Sequence, residues 1–194
     1  EKFFSFRSSL RSKILKLLIN SNQKYQYSKK KYQDNHQVEK YNEFINDSIS
    51  QNFPALKLTV YQNHKLIFNN KSKVMGINPG ASYGDAKRWY PEKFAEVAEK
   101  LSSDYDVIIF GGKSEVDLAL DIENLLIKKG VKNYTNLAGK TSIEQLITRI
   151  SGLDLFITSD SGPMHLAASF QIPTVAIFGP TNLNETSQWK LERS

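Results

Sequence analysis

Apolar residues recur along this chain in two rhythms. Over 9–19, Leu10, Ile14, Leu17 and Leu18 fall at the i, i+4, i+7, i+8 spacing of one helix face. Over 36–49, Val38, Tyr41, Phe44, Ile45 and Ile49 repeat that stripe, and Phe53-Pro54 ends it. Between them, 23–35 is polar, carries the Lys29-Lys30-Lys31 run, and reads as a loop. Two short stretches, 56–60 and 65–68, read as strand-like.

From Lys73 onward the rhythm changes. Short apolar runs at 73–78, 107–110, 134–137, 153–157 and 174–178 read as strands. Amphipathic segments lie between them. Residues 91–101 place Pro91 at a first helical position, with Phe94, Val97, Ala98 and Leu101 on one face. A helix over 114–129 has Gly130 as its stop. A third, over 141–151, is capped by Thr141 or Ser142, with Glu144 in capping-box range. A fourth runs from about Pro163 to Phe170. Near-continuous apolar strands joined by helices predict an α/β fold: a parallel sheet covered on both faces. Ligands in such sheets bind at the carboxyl ends of the strands. The change of texture divides the chain into a helical, basic stretch over 1–72 and a sheet domain over 73–194.

Charge sharpens that division. The net charge of +6 sits almost wholly in residues 1–50, where ten Lys and Arg face five Asp and Glu. The remaining 144 residues carry sixteen against fifteen. A basic arm can attract a polyanion, and a lysine-rich solvated surface is the plainer reading. There is no cysteine, which removes disulfides and thiolate metal sites. No apolar run approaches the roughly 20 residues that span a bilayer. No carboxylate and histidine pattern has metal-ligand spacing, so no protein metal site is predicted. His36 and His64 read as structural.

Four strand-end loops carry the candidate chemistry. After the first strand, Asn78-Pro79-Gly80-Ala81 leads to Lys87-Arg88-Trp89, where the cations either neutralise a phosphate or decorate an ordinary glycine-rich turn. After the second, Phe110-Gly111-Gly112 precedes Glu115, which either binds a ribose hydroxyl pair or caps a helix with Ser114. The most informative loop is Thr158-Ser159-Asp160-Ser161-Gly162-Pro163-Met164-His165. It is a strand, a sharp turn and a helix start, where unpaired N–H groups face an anion. Asp160 suits sugar hydroxyls, Ser161 and the following N–H groups suit phosphate, and His165 adds a hydrogen bond or positive charge. The plainer reading makes Asp160 or Ser161 an N-cap and His165 a half-buried packing residue. Gly179-Pro180-Thr181-Asn182, at the same sheet end, either is only a turn or also lines the pocket.

Taken together, Asn78-Pro79-Gly80-Ala81, Lys87-Arg88-Trp89, Phe110-Gly111-Gly112, Asn136-Leu137-Ala138-Gly139, Ser159 to Ala168 and Phe178-Gly179-Pro180-Thr181 closely resemble the lipopolysaccharide heptosyltransferases, glycosyltransferase family nine. His36-Gln37-Val38-Glu39-Lys40-Tyr41 resembles the segment just before that domain. The Lys87-Arg88-Trp89 form is closer to the branch that adds the second heptose.

The resemblance implies a GT-B fold of two Rossmann-like domains. The N-terminal one takes the acceptor, a Kdo-containing lipid A or its first heptose. The C-terminal one takes the donor, ADP-L-glycero-D-manno-heptose. Residues 73–194 match the donor domain with a short C-terminal end, and 1–72 match the bridge into it. The acceptor domain, with the aspartate general base the family is thought to use, is expected to lie outside this chain. By motif, Lys87 contacts the diphosphate or the sugar and stabilises departing ADP, and Glu115 holds the ribose. Asp160 binds heptose hydroxyls, while Ser161, Gly162 and His165 hold the diphosphate. The implied reaction is inverting transfer at the cytoplasmic face of the bacterial inner membrane. No tightly bound cofactor and no nucleic-acid partner are implied. The rivals are a related transferase with another nucleotide sugar and a donor-binding module inactive by itself. The basic helix over 9–19 either touches the membrane that carries the acceptor or packs between domains.

Overall fold

The computed structural model describes residues 1–60, 68, 72–81 and 88–191. The chain divides into two compact units, Glu1–Leu56 with Asn184–Thr186, and Lys57–Leu183 with Ser187–Ser194.

The first unit contains a strand–helix–strand turn. β1 (Lys2–Ser5) pairs in parallel with β2 (Gln23–Gln26), and α1 (Leu10–Leu18) connects them. Ser9 caps α1 through its hydroxyl, which accepts the Ser12 N–H at 3.3 Å. The apolar stripe of α1 is largely exposed, with Leu10, Leu17 and Leu18 each about three-quarters accessible. α2 (Gln37–Ile49) begins with a capping box between His36 and Glu39. His36 Nδ1 accepts the Val38 N–H at 3.2 Å, so this histidine is structural. Aromatic rings fill the space between the strands and α2. Phe4 stacks on Tyr25 with centroids 5.1 Å apart, and Phe44 meets Phe4, Phe6, Tyr27 and Tyr32 edge-on.

Here the polar reading of 23–35 needs correction, because its first four residues form β2. The reason lies in the tyrosines: Tyr25, Tyr27 and Tyr32 bury their rings while glutamines and lysines separate them. The strand expected over 56–60 is likewise absent. Leu56 is exposed, and 57–60 carry no regular structure. Residues 65–67 of the other short stretch lie outside the described residues.

The second unit is built on a five-stranded parallel sheet. Its strands are β3 (Lys73–Asn78), β4 (Tyr105–Ile109), β5 (Tyr134–Asn136), β6 (Leu155–Ser159) and β7 (Thr174–Ile177), in the order β5-β4-β3-β6-β7. α3 (Pro91–Leu101), α4 (Val116–Lys128), α5 (Ile143–Ile150) and α6 (Gly162–Ser169) make the crossovers, and a short α7 (Leu183–Thr186) follows β7. Successive strand residues point to opposite faces. Met75, Ile77, Val107 and Ile109 therefore pack with Phe94 and Ala98 of α3 and Ile122 and Leu126 of α4. Val74, Ile108, Phe110 and Phe156 pack with Ile150 and Ala167 on the other face. Gly76 in the central strand is explained by that second layer. A Cβ there would lie 2.6 Å from Leu153, 2.8 Å from Phe156 and 2.9 Å from Phe110.

Two helix starts differ in detail from the sequence reading. Ser142 caps α5 with Gln145 as its box partner, while Glu144 accepts a hydrogen bond from the Ser142 hydroxyl at 2.9 Å. The helix expected from Ser114 opens as a 3-10 turn over Lys113–Glu115 before α4. Gly130 ends α4 in a left-handed conformation, φ +76°, that a side chain would strain.

Candidate functional site at the carboxyl end of the sheet

The sheet order creates a switch point. The chain leaves β3 toward β4 and β5, then returns to place β6 on the other flank of β3. The loops after β3 and β6 therefore diverge and open a crevice, which is where ligands of doubly wound sheets sit.

The two strands end in polar residues set side by side, with Asn78 in register with Thr158. All of Asn78, Thr158, Ser159 and Asp160 are buried. The Asn78 amide Nδ2 donates across the junction to Ser161 Oγ at 3.1 Å, to Thr158 Oγ1 at 3.4 Å and to the Gly80 carbonyl at 3.3 Å. Ser159 Oγ donates to the Pro79 carbonyl at 3.1 Å. These bonds tie the β3 loop to the β6 loop. The Asp160 N–H extends the ladder to the Ile177 carbonyl at 3.1 Å, which places the start of this loop beside the end of β7.

Ser161 occupies the N-cap of α6 with extended backbone, φ −154° and ψ 171°, yet its side chain caps nothing. This answers the choice left open for it: Ser161 is the N-cap by position, and its hydroxyl faces Asn78 instead of the helix. Gly162 is exposed and Pro163 has no N–H, so the first turn presents few side-chain atoms. His165 lies one residue beyond that turn's Met164, half-buried.

Glu115 reaches the same sheet end from the 3-10 turn after β4. Its carboxylate accepts the Gly112 N–H at 2.5 Å, and a Cβ on Gly80 would overlap it. A Cβ on Gly111 would lie 3.2 Å from both Glu115 Cβ and Ala138 Cβ. The glycines of both loops thus make room for one carboxylate. Asn136 shapes the neighbouring loop, with its Oδ1 accepting the Ala138 N–H at 3.1 Å and its Nδ2 donating to Glu123 at 2.7 Å.

The fold therefore gathers Asp160, Ser161, Gly162 and Glu115 at one end of the sheet, with His165 on the helix behind. Lys87 lies outside the described residues. Of its neighbours, Trp89 packs edge-on against Phe94 at 5.3 Å as part of the core. Sequence reasoning gave no role to Asn78, Thr158 or Ser159. The available signal was a polar residue closing each of two apolar strands. Thr181 was placed in a turn that either stands alone or lines the pocket; its Oγ1 is buried and has no hydrogen-bond partner within the protein. Among the described residues no group of three or more His, Cys, Asp or Glu is placed to hold a metal ion. No helix among them is long and apolar enough to cross a membrane.

The first unit holds a separate cavity of about 710 Å³ where β1 and β2 end. Lys13, Lys29, Lys30 and Lys40 line it against Asp34 and Glu185. Lys40 is buried and pairs with Glu185 at 3.3 Å. Gln26 also lines this cavity, with a buried Oε1 that lacks a partner.

Comparison with known proteins places this geometry. The chain is 46% identical to lipooligosaccharide heptosyltransferase 2 of Campylobacter jejuni subsp. jejuni serotype O:2, over 98% of this chain and 61% of that protein. It is 35% identical to lipopolysaccharide heptosyltransferase 2 of Salmonella typhimurium, over 59% of this chain and 33% of the relative. The fold is like that of Escherichia coli ADP-heptose LPS heptosyltransferase II, with TM-score 0.82, 24% identity, and 96% of this chain and 65% of that one covered. It is also like Escherichia coli heptosyltransferase WaaC solved with ADP, with TM-score 0.65, 22% identity, and 87% and 51% covered. The chain spans about 60% of the length of the Campylobacter relatives it matches. Residues 5–193 match glycosyltransferase family 9 (heptosyltransferase), and the chain belongs to that family.

Proposed function

We propose that this chain is the donor-binding part of an inverting heptosyltransferase. It takes ADP-L-glycero-D-manno-heptose and serves the addition of the second heptose to the inner core of lipopolysaccharide or lipooligosaccharide. The observation that carries the reading is the crevice between β3 and β6, where an uncapped α6 N-terminus and Asp160 share one strand-end loop. Similarity to proteins named heptosyltransferase 2, at 46% and 45% identity, supports the choice of sugar and position.

In this reading the diphosphate lies against the start of α6, where the partial positive charge of the helix end favours an anion. Gly162 allows close approach, and Ser161 and His165 donate hydrogen bonds. Asp160 accepts from heptose hydroxyls, and Glu115 holds the ribose against Gly80. An acceptor hydroxyl oxygen bonds to the anomeric carbon as the bond from that carbon to the ADP oxygen breaks. The hydroxyl proton passes to a general base that this reading assigns to no residue of the chain. The electron pair leaves with ADP, where Lys87 and the helix end stabilise the growing charge. The lysine-lined cavity of the first unit fits the anionic character of such an acceptor. An acceptor borne on lipid A places the work at the cytoplasmic face of the inner membrane.

Asp160→Ala is the direct test. In the full-length enzyme of which this reading makes the chain the donor-binding part, transfer from ADP-heptose, measured by product mass, should fall about 100-fold or more, a barrier increase of about 2.7–4 kcal/mol. Near-normal turnover would remove Asp160 from the site. Preference for a hexose nucleotide in a donor panel would overturn the heptose assignment.

A further inference from the structure

We infer that Asn78 is a positioning residue that holds the Ser161 hydroxyl by its oxygen and so leaves its hydrogen to be donated to the bound diphosphate. This rests on the reading of the switch-point crevice as the donor site and adds a residue to it.

The argument follows the protons. The orientation of the Asn78 amide is set by the Gly80 carbonyl, which can only accept, so Nδ2 is the atom facing the cluster. Nδ2 has two hydrogens and no lone pair to offer, and it donates to Ser161 Oγ at 3.1 Å. The other hydroxyl in reach, that of Thr158, spends its hydrogen on the Ser159 carbonyl at 2.9 Å. The Ser161 hydroxyl therefore receives a hydrogen from Asn78 and keeps its own to give. Inside the cluster, the recipient available for that hydrogen is Thr158 Oγ1, 3.4 Å away and beyond the usual range of an O–H···O bond. An anion at the α6 N-terminus offers a better one.

The same arrangement turns the Ser161 oxygen toward Asn78 and away from its ordinary N-cap task. A serine at this position normally accepts from an N–H of the first turn and so satisfies one of the helix's unpaired donors. Here it does not. Asn78 thus turns the Ser161 oxygen away from the first turn of α6, where the Met164 N–H goes to the Ser161 carbonyl at 3.1 Å, and leaves the hydroxyl hydrogen to be given. At 3% exposure Asn78 is buried, which suits a group working from behind the site.

A double-mutant cycle on ADP affinity, measured by calorimetry, separates this role from mere support of the loop. Asn78→Leu keeps roughly the volume of the side chain and removes the donor, and Asn78→Ala provides a second version should the leucine not fold. Ser161→Ala provides the other edge. In the protein with Ser161, loss of the Asn78 amide should weaken ADP about 10-fold. In the Ser161→Ala background the same change should cost about 2-fold, since the serine it acts through is gone. Equal penalties in the two backgrounds, with melting temperatures lowered alike, would overturn the inference while leaving the donor site intact. Absence of ADP binding by the unaltered protein would instead sink the reading of the site.

Discussion

The two units of this chain are stabilised by different materials. The second is held by aliphatic and phenylalanine side chains buried to zero exposure on both faces of a five-stranded sheet. The first has three buried core residues, Tyr27, Tyr32 and Phe44, two of which keep a polar hydroxyl. Its tyrosine rings supply the apolar area, while the hydroxyls and nearby lysines tie the surface: Tyr32 donates to Asp47 at 2.9 Å and Lys31 pairs with Asp47 at 2.6 Å. A core made of dedicated apolar residues writes itself into the sequence as periodicity. A core made of amphipathic residues does not, because each tyrosine counts as polar or apolar according to how its ring is covered.

The contrast can be broken most directly at the two cores. Phe156→Ala should destabilise the second unit by about 3–5 kcal/mol, the usual cost of emptying a fully buried phenylalanine site. Both tryptophans belong to that unit, so urea titration followed by their fluorescence reads it selectively. Phe44→Ala should leave that transition in place; an equal shift would show that the units do not differ as described. Gly76→Ala sharpens the point from the opposite side. A methyl group there meets three packed side chains, and overpacking should cost about 1–3 kcal/mol by the same titration. A cost near zero would mean that the second core is looser than its burial implies.

The smallest effect is electrostatic and belongs to the first unit. Hydrogen bonds from Lys31 and Tyr32 hold the Asp47 carboxyl below its ordinary value of 3.8. A depressed folded-state value means the contribution is complete above that ordinary value and lost as pH falls through the lower, folded-state one. Both partners are substantially exposed, so solvent screens the pair and the contribution is slight. The protection of α2 amides, taken relative to their intrinsic exchange rate at each pH, should therefore fall modestly on acidification, and Asp47→Asn should flatten that dependence. An unchanged profile in the variant would assign the acid sensitivity elsewhere.

Legibility followed the same division. Among the described residues, each strand and helix between Lys73 and Ile177 was foreseen within a few residues, because aliphatic strands covered on both faces leave unbroken apolar runs. β1 and β2 were not foreseen, since Gln23-Lys24-Tyr25-Gln26 has no aliphatic residue at all. At the site, Asp160, Ser161, Gly162 and Glu115 were singled out, and the fold brings them to one sheet end. Asn78 was part of the same motif but received no role, because its significance lies in a bond to a residue 83 positions away. Thr181 was likewise placed in a turn with nothing to show that its hydroxyl would be buried without a partner.

The sequence by itself determined the alternation of strands and helices, the strand-end loops and the set of polar residues those loops carry. These are local properties, dictated by periodicity, capping and turn chemistry. Only the tertiary structure decided which loops face one another, because strand order is a choice among pairings that each bury similar apolar area. It was that order that set β6 beside β3 and put Ser161 within reach of Asn78. It also decided that the serine at the start of α6 would look away from its own helix. That hydrogen bond arises between strands far apart in the chain, where no local pattern could record it.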